Sequence, residues 1–319
     1  QVAESLVARP DVLAKEILKK NPLDPTAKLA HALALIGVRE YDDARMELSQ
    51  LKKRKLRMDE ATYHLARLDL VTGRYVEAEK GFRDLLSHYP NSSQALWGLV
   101  QVHLRKGNRE KALSTVEEAV ANSPDNIGFR MSLVNLAMTL EDFDRAEREL
   151  GVILKREPDN GEANNRMGEV QIAREREESA EPYFRKAMSA EPPVSSAHFH
   201  VGTMLAKKGD FAGARSYFER CLEIQSRSSA ALNNLAFSLA RMDTDLDQAF
   251  TYAQRAVGMV PDHPDYQDTL AYVYIKRNLN TNAIEILNKL VEKYPNRADY
   301  QLHLAQALQQ NQQTGEARK

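Results

Sequence analysis

A periodicity of 34 residues is the feature of this sequence that most limits its fold. With Pro90 as the reference, equivalent positions recur every 34 residues along the chain, with one step of 35. These positions are Pro22, Leu56, Pro90, Pro124, Pro158, Pro192, Ser226, Pro261 and Pro295. A repeat of this length holds a pair of short helices, which bury their apolar faces only by stacking on neighbouring pairs. The periodicity therefore predicts an all-α solenoid of helix-turn-helix hairpins.

Two columns of small residues follow the same period. Alanine stands twelve residues before the reference positions from Leu56 onwards, at Ala44, Ala78, Ala112, Ala146, Ala180, Ala214, Ala249 and Ala283, and Ala317 continues the series. Ten residues after them stand Ala32, Ala66, Val100, Val134, Gly168, Gly202, Ala236, Ala271 and Ala305. Small side chains in both helices of a hairpin let the two backbones cross closely. We therefore expect both columns to be buried at helix crossings.

Glycines and aromatic residues complete the pattern. Glycine recurs before the second helix at Gly73, Gly107 and Gly209, and aromatic residues flank the second-helix alanine at Tyr41, Tyr75, Phe82, Phe143, Phe184, Phe211 and Phe218. In this arrangement the sequence resembles the tetratricopeptide repeat over nearly its whole length. The resemblance implies a right-handed superhelical solenoid of about eight repeats, with partial repeats at both ends.

The period also predicts where each repeat begins and ends. The eight predicted repeats are 25–58, 59–92, 93–126, 127–160, 161–194, 195–228, 229–263 and 264–297. A partial repeat that supplies a second helix is expected over 1–24, and another over 298–319, where Gly315 would begin a second helix. Because both ends are incomplete repeats, we expect this chain to be a segment of a longer protein.

Polar residues at the junctions between repeats predict helix starts. Short polar side chains stand there in Asp24-Pro25, Asn91-Ser92-Ser93, Asp125-Asn126, Asp159-Asn160 and Asp262-His263-Pro264. Such side chains accept hydrogen bonds from the open amides of a first helical turn, and proline suits that turn.

The composition limits the classes of partner. The chain holds 44 basic and 45 acidic residues, which argues against nucleic-acid binding, because phosphate neutralisation requires a basic surface. Its single cysteine, Cys221, excludes an internal disulfide. The longest apolar run, residues 29–38, is too short to span a membrane. No transmembrane segment is therefore expected in this stretch.

Motifs for catalysis or metal binding are weak. Three alternating aspartates beginning at Asp243 invite a calcium loop, but Gln248 and Gln254 stand where such a loop needs glycine and glutamate. His198 and His200 are two residues apart on a predicted helix, so they do not share a face as two zinc ligands would. We expect no catalytic residue, no metal site and no cofactor.

The resemblance implies that the first helix of each repeat lines a concave groove. The candidate partner-binding residues at groove positions are Tyr63, His64, Arg67, Trp97, Gln101, Asn135, Asn165, Arg166, Phe199, His200, Asn233, Asn234, Phe237 and Tyr272. Amide side chains can hydrogen-bond an extended peptide backbone, and rings such as Trp97 offer apolar contacts. The alternative is that this face is only hydrated surface and that the contacts lie elsewhere.

One subclass is disfavoured by its residues. Members of the family that capture chaperone tails use a Lys and an Asn on one repeat to hold a terminal carboxylate. Tyr63 and Arg67, or Trp97 and Gln101, occupy those positions here. Chaperone-tail capture is therefore not expected.

The sequence predicts a non-catalytic scaffold or adaptor that binds a protein or peptide partner in the groove. Two alternatives remain: a structural solenoid that self-assembles or spaces flanking domains, compatible with a homo-oligomer, and the regulatory arm of an enzyme whose catalytic domain lies outside this segment. The stretch from Asp245 to Tyr272 resembles the last repeats of bacterial envelope proteins, including those of exopolysaccharide systems. That likeness favours a bacterial periplasmic or membrane-attached location over the cytoplasm.

Overall fold

The computed structural model describes the backbone of residues 10–317 and the side chains of residues 12–312. This part of the chain holds eighteen α-helices and no strand. In chain order they are α1 (Pro10–Lys20), α2 (Pro25–Gly37), α3 (Tyr41–Lys53), α4 (Met58–Val71), α5 (Tyr75–His88), α6 (Ser93–Arg105), α7 (Arg109–Asn122), α8 (Ile127–Thr139), α9 (Phe143–Arg156), α10 (Gly161–Ala173), α11 (Glu177–Met188), α12 (Ser195–Lys207), α13 (Phe211–Ile224), α14 (Ser229–Met242), α15 (Leu246–Met259), α16 (Pro264–Lys276), α17 (Asn280–Lys293) and α18 (Ala298–Ala317).

The helices form two compact units, unit 1 up to Ile153 and unit 2 from Leu154. Consecutive helices contact each other from α1 through to α8 in unit 1 and from α10 through to α18 in unit 2. First helices of successive hairpins also contact one another, α4 with α6 and α6 with α8 in unit 1, and the even-numbered helices from α12 to α18 in unit 2. The predicted all-α helix-turn-helix solenoid class is confirmed. The division into eight repeats stays a prediction.

Helix starts use the predicted capping chemistry at four junctions. The side chains of Asp24, Ser92, Asn126 and Asn160 each accept a hydrogen bond from the amide three residues later, at 2.7, 3.2, 3.1 and 2.9 Å. At the start of α16 the side chain of His263 makes no such bond, and proline occupies the first turn instead. Proline has no amide hydrogen to satisfy, so it suits a start without a side-chain cap.

The turn between the two helices of a hairpin needs a left-handed residue. Gly73, Gly107 and Gly209 adopt φ of 77°, 74° and 83° there, as glycine does without strain. Where the sequence offers no glycine, other residues take the same conformation at the equivalent position, namely Arg39, Glu141, Glu175 and Asn278, with φ between 59° and 67°. The turn geometry is therefore kept even where its glycine signature is absent.

Both small-residue columns mark close helix crossings. The eight column alanines from Ala44 to Ala283 are fully buried. An added Cβ at Gly168 would lie 2.5 Å from the ring of Phe184, and one at Gly202 would lie 2.8 Å from that of Phe218. Ala305 is exposed, which differs from the expectation, because no described helix packs over that side of α18. The side chain of Ala317 lies outside the described residues.

The structure tests the expected second helix at the C-terminal end and the possible calcium loop at the three aspartates. The predicted second helix at Gly315 is wrong, because α18 continues unbroken through Ala317. The aspartates of the one-residue insertion do not converge on a common point. Asp243 lies 3.3 Å from Lys276, Asp245 lies 2.8 Å from Arg215, and Asp247 lies 2.7 Å from Arg277. Each carboxylate therefore pairs with a different cation, which is a structural use of the charge.

Candidate protein-binding surface

We call the surface formed by the first helices of the hairpins the inner face of each unit. On the inner face of unit 1, Tyr63, His64 and Arg67 lie on α4, Trp97 and Gln101 on α6, and Asn135 on α8. Arg67 is exposed and the other five are half-buried. All six therefore keep some surface available to a ligand.

The α4 part of this face is an aromatic and cationic surface. The Tyr63 ring packs edge-on against Phe82 and His64, with centroids 6.3 and 5.2 Å away. The Arg67 guanidinium carbon lies 5.7 Å from the Tyr63 centroid, within the range of a cation–π interaction. Burial lowers the pKa of His64, and the charge of Arg67 lowers it further. The imidazole is therefore held neutral at physiological pH.

A cavity of about 680 Å³ opens next to Trp97. It is lined by residues of α4 and the following turn, of the start of α5, and of α6 and α8: Leu70, Val71, Thr72, Gly73, Tyr75, Trp97, Gln101, Leu104, Arg105 and Thr139. We call it the Trp97 cavity. Its volume lies within the range of small-ligand and side-chain pockets, and its lining combines two rings with a few polar groups.

The Trp97 cavity has a rigid base and an open rim. Trp97 and Leu104 pack against a buried cluster that includes Leu96 and Phe129. Val71, at the rim, is 65% exposed. The packing holds the indole in place, and the exposed aliphatic rim leaves apolar surface for a partner.

The inner face of unit 2 is organised around a carboxylate. Glu169 on α10 accepts hydrogen bonds from Asn165 at 2.9 Å, from Arg166 at 2.7 Å and from His200 of α12 at 3.1 Å. Burial by itself would raise the pKa of Glu169, but the hydrogen bonds from His200 and Arg166 outweigh it, so the pKa is lowered. Arg166 also bonds Glu162 at 3.0 Å. Arg166, His200 and the amide nitrogen of Asn165 therefore bond one carboxylate, whereas the buried Oδ1 of Asn165 has no hydrogen-bond partner among the described residues.

The other predicted residues of unit 2 are held by ring and amide contacts. The rings of Phe199 and Phe184 lie 5.7 and 4.8 Å from that of His200, the second in a stacked arrangement. Phe237 and Tyr272 lie 5.6 Å apart. The amides of Asn233 and Asn234 bond each other at 3.2 Å, and that of Asn234 reaches Thr203 at 3.5 Å.

The predicted residues also differ in how much of each side chain is exposed. Asn165, Asn233 and Tyr272 are only 2%, 7% and 8% exposed, so they offer a ligand little surface.

Sequence reasoning missed Arg105 and Tyr75 as lining of the Trp97 cavity, and Glu169 as the centre of the unit 2 network. Arg105 occupies the thirteenth position of its predicted repeat, one that the family places toward the groove, so the signal was present. Glu169 lies three and four residues after Arg166 and Asn165, a spacing that places side chains together on a helix.

Among the described residues, no group of three or more His, Cys, Asp or Glu side chains could hold a metal ion. No helix in the described part of the chain is long and apolar enough to cross a membrane.

The chain is similar in sequence to proteins of known family. The curated relatives include the tetratricopeptide repeat-containing protein trd-1 of Caenorhabditis elegans, 20% identical over 205 residues, which are 64% of this chain and 26% of that protein. They also include the cellulose synthase 1 operon protein C of Komagataeibacter xylinus, 33% identical over 78 residues, which are 24% of this chain and 6% of that protein. The chain thus spans no more than about a quarter of either relative.

Among solved structures, a chain of the APC/C hetero-tetramer Cut9-Hcn1 superposes with a TM-score of 0.61 at 14% identity, covering 94% of this chain and 60% of that one. At this identity the likeness shows the fold alone. The sequence profiles of the tetratricopeptide repeat match residues 63–127, 103–165, 195–227 and 240–307, which together are more than half of the chain. This fold is typically a non-catalytic scaffold to which protein partners bind. The chain belongs to the tetratricopeptide repeat family.

Proposed function

We propose that this chain is a non-catalytic adaptor that binds a polypeptide partner on the inner face, with the main contact in unit 1. The observation that carries the proposal is the Trp97 cavity, in which a half-buried indole, a second ring and a glutamine surround about 680 Å³ of open space. Aromatic side chains held by packing at the bottom of an apolar pocket are the residues that dominate protein interfaces.

A polypeptide fits this surface better than a small polar ligand. Gln101 can donate to and accept from a peptide backbone, and Tyr63 and Trp97 lie on successive first helices at the same repeat position. An extended chain that crosses α4 and α6 would meet apolar and polar groups alternately, as strand-like peptides require.

Site-specific photo-cross-linking in the source cell tests this proposal. A photoreactive amino acid is placed at Gln101 in the Trp97 cavity, or at exposed Glu110 on α7 as the control position. We expect a discrete polypeptide adduct from position 101, none from position 110, and loss of the adduct when Trp97→Ala is added. Adducts of the same mass from both positions, or adducts that survive Trp97→Ala, would contradict the proposal.

A second function is favoured by a separate observation. On α18, Leu302 is 66% exposed and Leu308 is 42% exposed, and the exposed Ala305 lies between them. These three residues, each three apart, form a ridge of apolar surface that a second copy could cover. In that case the chain is a self-assembling structural solenoid. Sedimentation across a wide concentration range should then show a mass that rises with concentration and that Leu302→Gln with Leu308→Gln abolishes. A constant monomer mass excludes this role.

We also propose a place in a bacterial envelope assembly, of the kind that handles exopolysaccharide. The support is the likeness to the cellulose synthase 1 operon protein C, which extends over 78 residues. Fractionation of the source bacterium, with the native protein detected by antibody, should place it in the periplasmic or envelope fraction. Detection in the cytosolic fraction alone would refute this location.

A further inference from the structure

The inner face of unit 1 carries two positive charges, those of Arg67 and Arg105, that no carboxylate of the described residues pairs with. Arg105 is exposed and is the one charged residue among those that line the Trp97 cavity. Neither Arg105 nor Arg67 makes an ion pair with a described residue. By contrast, the adjacent Lys106 lies 3.2 Å from Glu79, on the other side of the helix.

Carboxylates of α4 already bind other side chains of unit 1. Glu60 is bound by Arg57 at 2.6 Å. Asp69 is paired with Arg45 and lies 3.5 Å from Arg74. Asp59 accepts a hydrogen bond from Tyr89. The inner face of unit 1 therefore combines apolar surface with two guanidinium groups that have no acidic partner of their own.

Taking the proposed function as its starting point, we propose that the partner of this face is an acidic, apolar linear segment of a polypeptide. One large apolar side chain of the segment enters the Trp97 cavity against Trp97, Tyr75 and Val71. A carboxylate next to it in sequence pairs with Arg105, and a second carboxylate pairs with Arg67. Guanidinium groups favour carboxylates because their two parallel N–H donors match the two oxygens.

Selection from displayed random peptides of about twelve residues tests the inference on the full chain. Enrichment is compared on the parent protein, on Arg105→Gln, and on Arg109→Gln as the matched control. Arg109 is also exposed, lies four residues further on, and does not line the cavity. Trp97 is the only tryptophan of the chain, so its emission reports binding of each selected peptide at this site.

We expect the selected peptides to carry Asp or Glu within three residues of a large apolar residue and to shift the Trp97 emission. Their affinity should fall about threefold to tenfold in Arg105→Gln and at raised ionic strength, and stay unchanged in Arg109→Gln. Peptides that bind at Trp97 without acidic residues, or that lose affinity equally in both variants, would overturn this inference. The proposed binding of a polypeptide at the groove would not be affected by that result. A library with no enrichment and no emission change would overturn both.

Discussion

The inner faces of the two units use the same repeat positions in opposite ways. In unit 1, Trp97 and Gln101 border the Trp97 cavity, and the basic side chains of Arg67 and Arg105 make no ion pair with a described residue. In unit 2 the equivalent polar side chains of Asn165, Arg166 and His200 converge on Glu169. A polar group that is already satisfied within the protein gains little from a ligand, whereas an unsatisfied one at the surface can exchange water for a partner.

The difference teaches that position in a repeat does not by itself make a residue part of a binding site. Three of the predicted residues in unit 2 lie below the surface, and the network there ties α10 to α12. We therefore propose that the polar residues of unit 2 serve stability and that those of unit 1 serve binding.

The largest effect is expected at the helix crossings, which both units share. An added Cβ at Gly98 would lie 2.3 Å from the fully buried ring of Phe82, and one at Gly168 would lie 2.5 Å from that of Phe184. Gly98→Val and Gly168→Val should each lower the free energy of unfolding by roughly 1–3 kcal/mol through overpacking. Urea unfolding followed by circular dichroism measures the change.

The matched control is Gly258→Ala at an exposed position of α15, where nothing lies within 4 Å of the added carbon. This variant should be as stable as the parent or slightly more stable, because alanine favours a helix over glycine by up to about 1 kcal/mol. If only one of the two valine variants is destabilised, the helix crossings of the two units are packed differently. Differences between the inner faces could then come from packing and not from the side chains on those faces.

The second effect separates the two faces directly. Glu169→Gln should lower the free energy of unfolding by roughly 1–3 kcal/mol, because the new amide faces three donors that had bonded a carboxylate. Gln101→Ala in unit 1 should change it by less than about 0.5 kcal/mol, as substitutions at open surface do. Equal losses in both variants would mean that the face of unit 1 is also built for stability.

Most of the fold was predictable because its determinants are local and repeated. The column alanines, the capping side chains such as Asp24 and Asn160, and the turn glycines each act within one hairpin, so the period alone places them. The end of α18 was not predictable in this way. The period requires a turn before Gly315, but the helix runs on without one.

The candidate site was only partly predictable, because its character depends on partners from different helices. The period placed Asn165 and Trp97 at the same repeat position and gave no reason to treat them differently. Whether such a side chain is open depends on the next first helix, where His200 completes the Glu169 network and Thr139 merely borders a cavity. These neighbours are about one repeat away in sequence, beyond the reach of local patterns.

A third prediction uses pH to test His64 of unit 1 and Glu169 of unit 2 separately. In unit 1 the folded state lowers the pKa of His64, so the unfolded chain takes up this proton first and stability falls as pH drops below about 6.5. In unit 2 the folded state lowers the pKa of Glu169, so its contribution is present above about pH 4.3 and is lost as pH falls through the lower folded value. His103 and His198 also have lowered pKa values in the folded state, so His64→Gln should reduce the first loss without abolishing it. Glu169→Gln should likewise reduce the second loss, to which Glu79 and Asp265 also contribute.

Urea midpoints across the range from neutral to acid pH give both profiles. The loss tied to His64 should be smaller than the loss caused by Glu169→Gln at neutral pH, because the imidazole is neutral in both states there and no ion pair is broken. If His64→Gln leaves the parent profile between about pH 5 and 7 unchanged, burial and the charge of Arg67 do not lower the pKa of His64 in the folded protein.

The smallest effect concerns two arginines that lie over rings. In unit 2, Arg241 is 4.6 Å from the Phe211 centroid and 5.6 Å from that of Phe237, whereas in unit 1 Arg67 is 5.7 Å from a single ring, that of Tyr63. Arg241→Ala should therefore cost about 0.5–1 kcal/mol of unfolding free energy, and Arg67→Ala less. Binding should respond in the reverse order, with Arg67→Ala weakening the capture of acidic peptides and Arg241→Ala leaving it unchanged. Because stability and affinity are measured on the same two proteins, a crossed result of this kind can arise only if the charge of unit 1 serves a partner and that of unit 2 serves the fold.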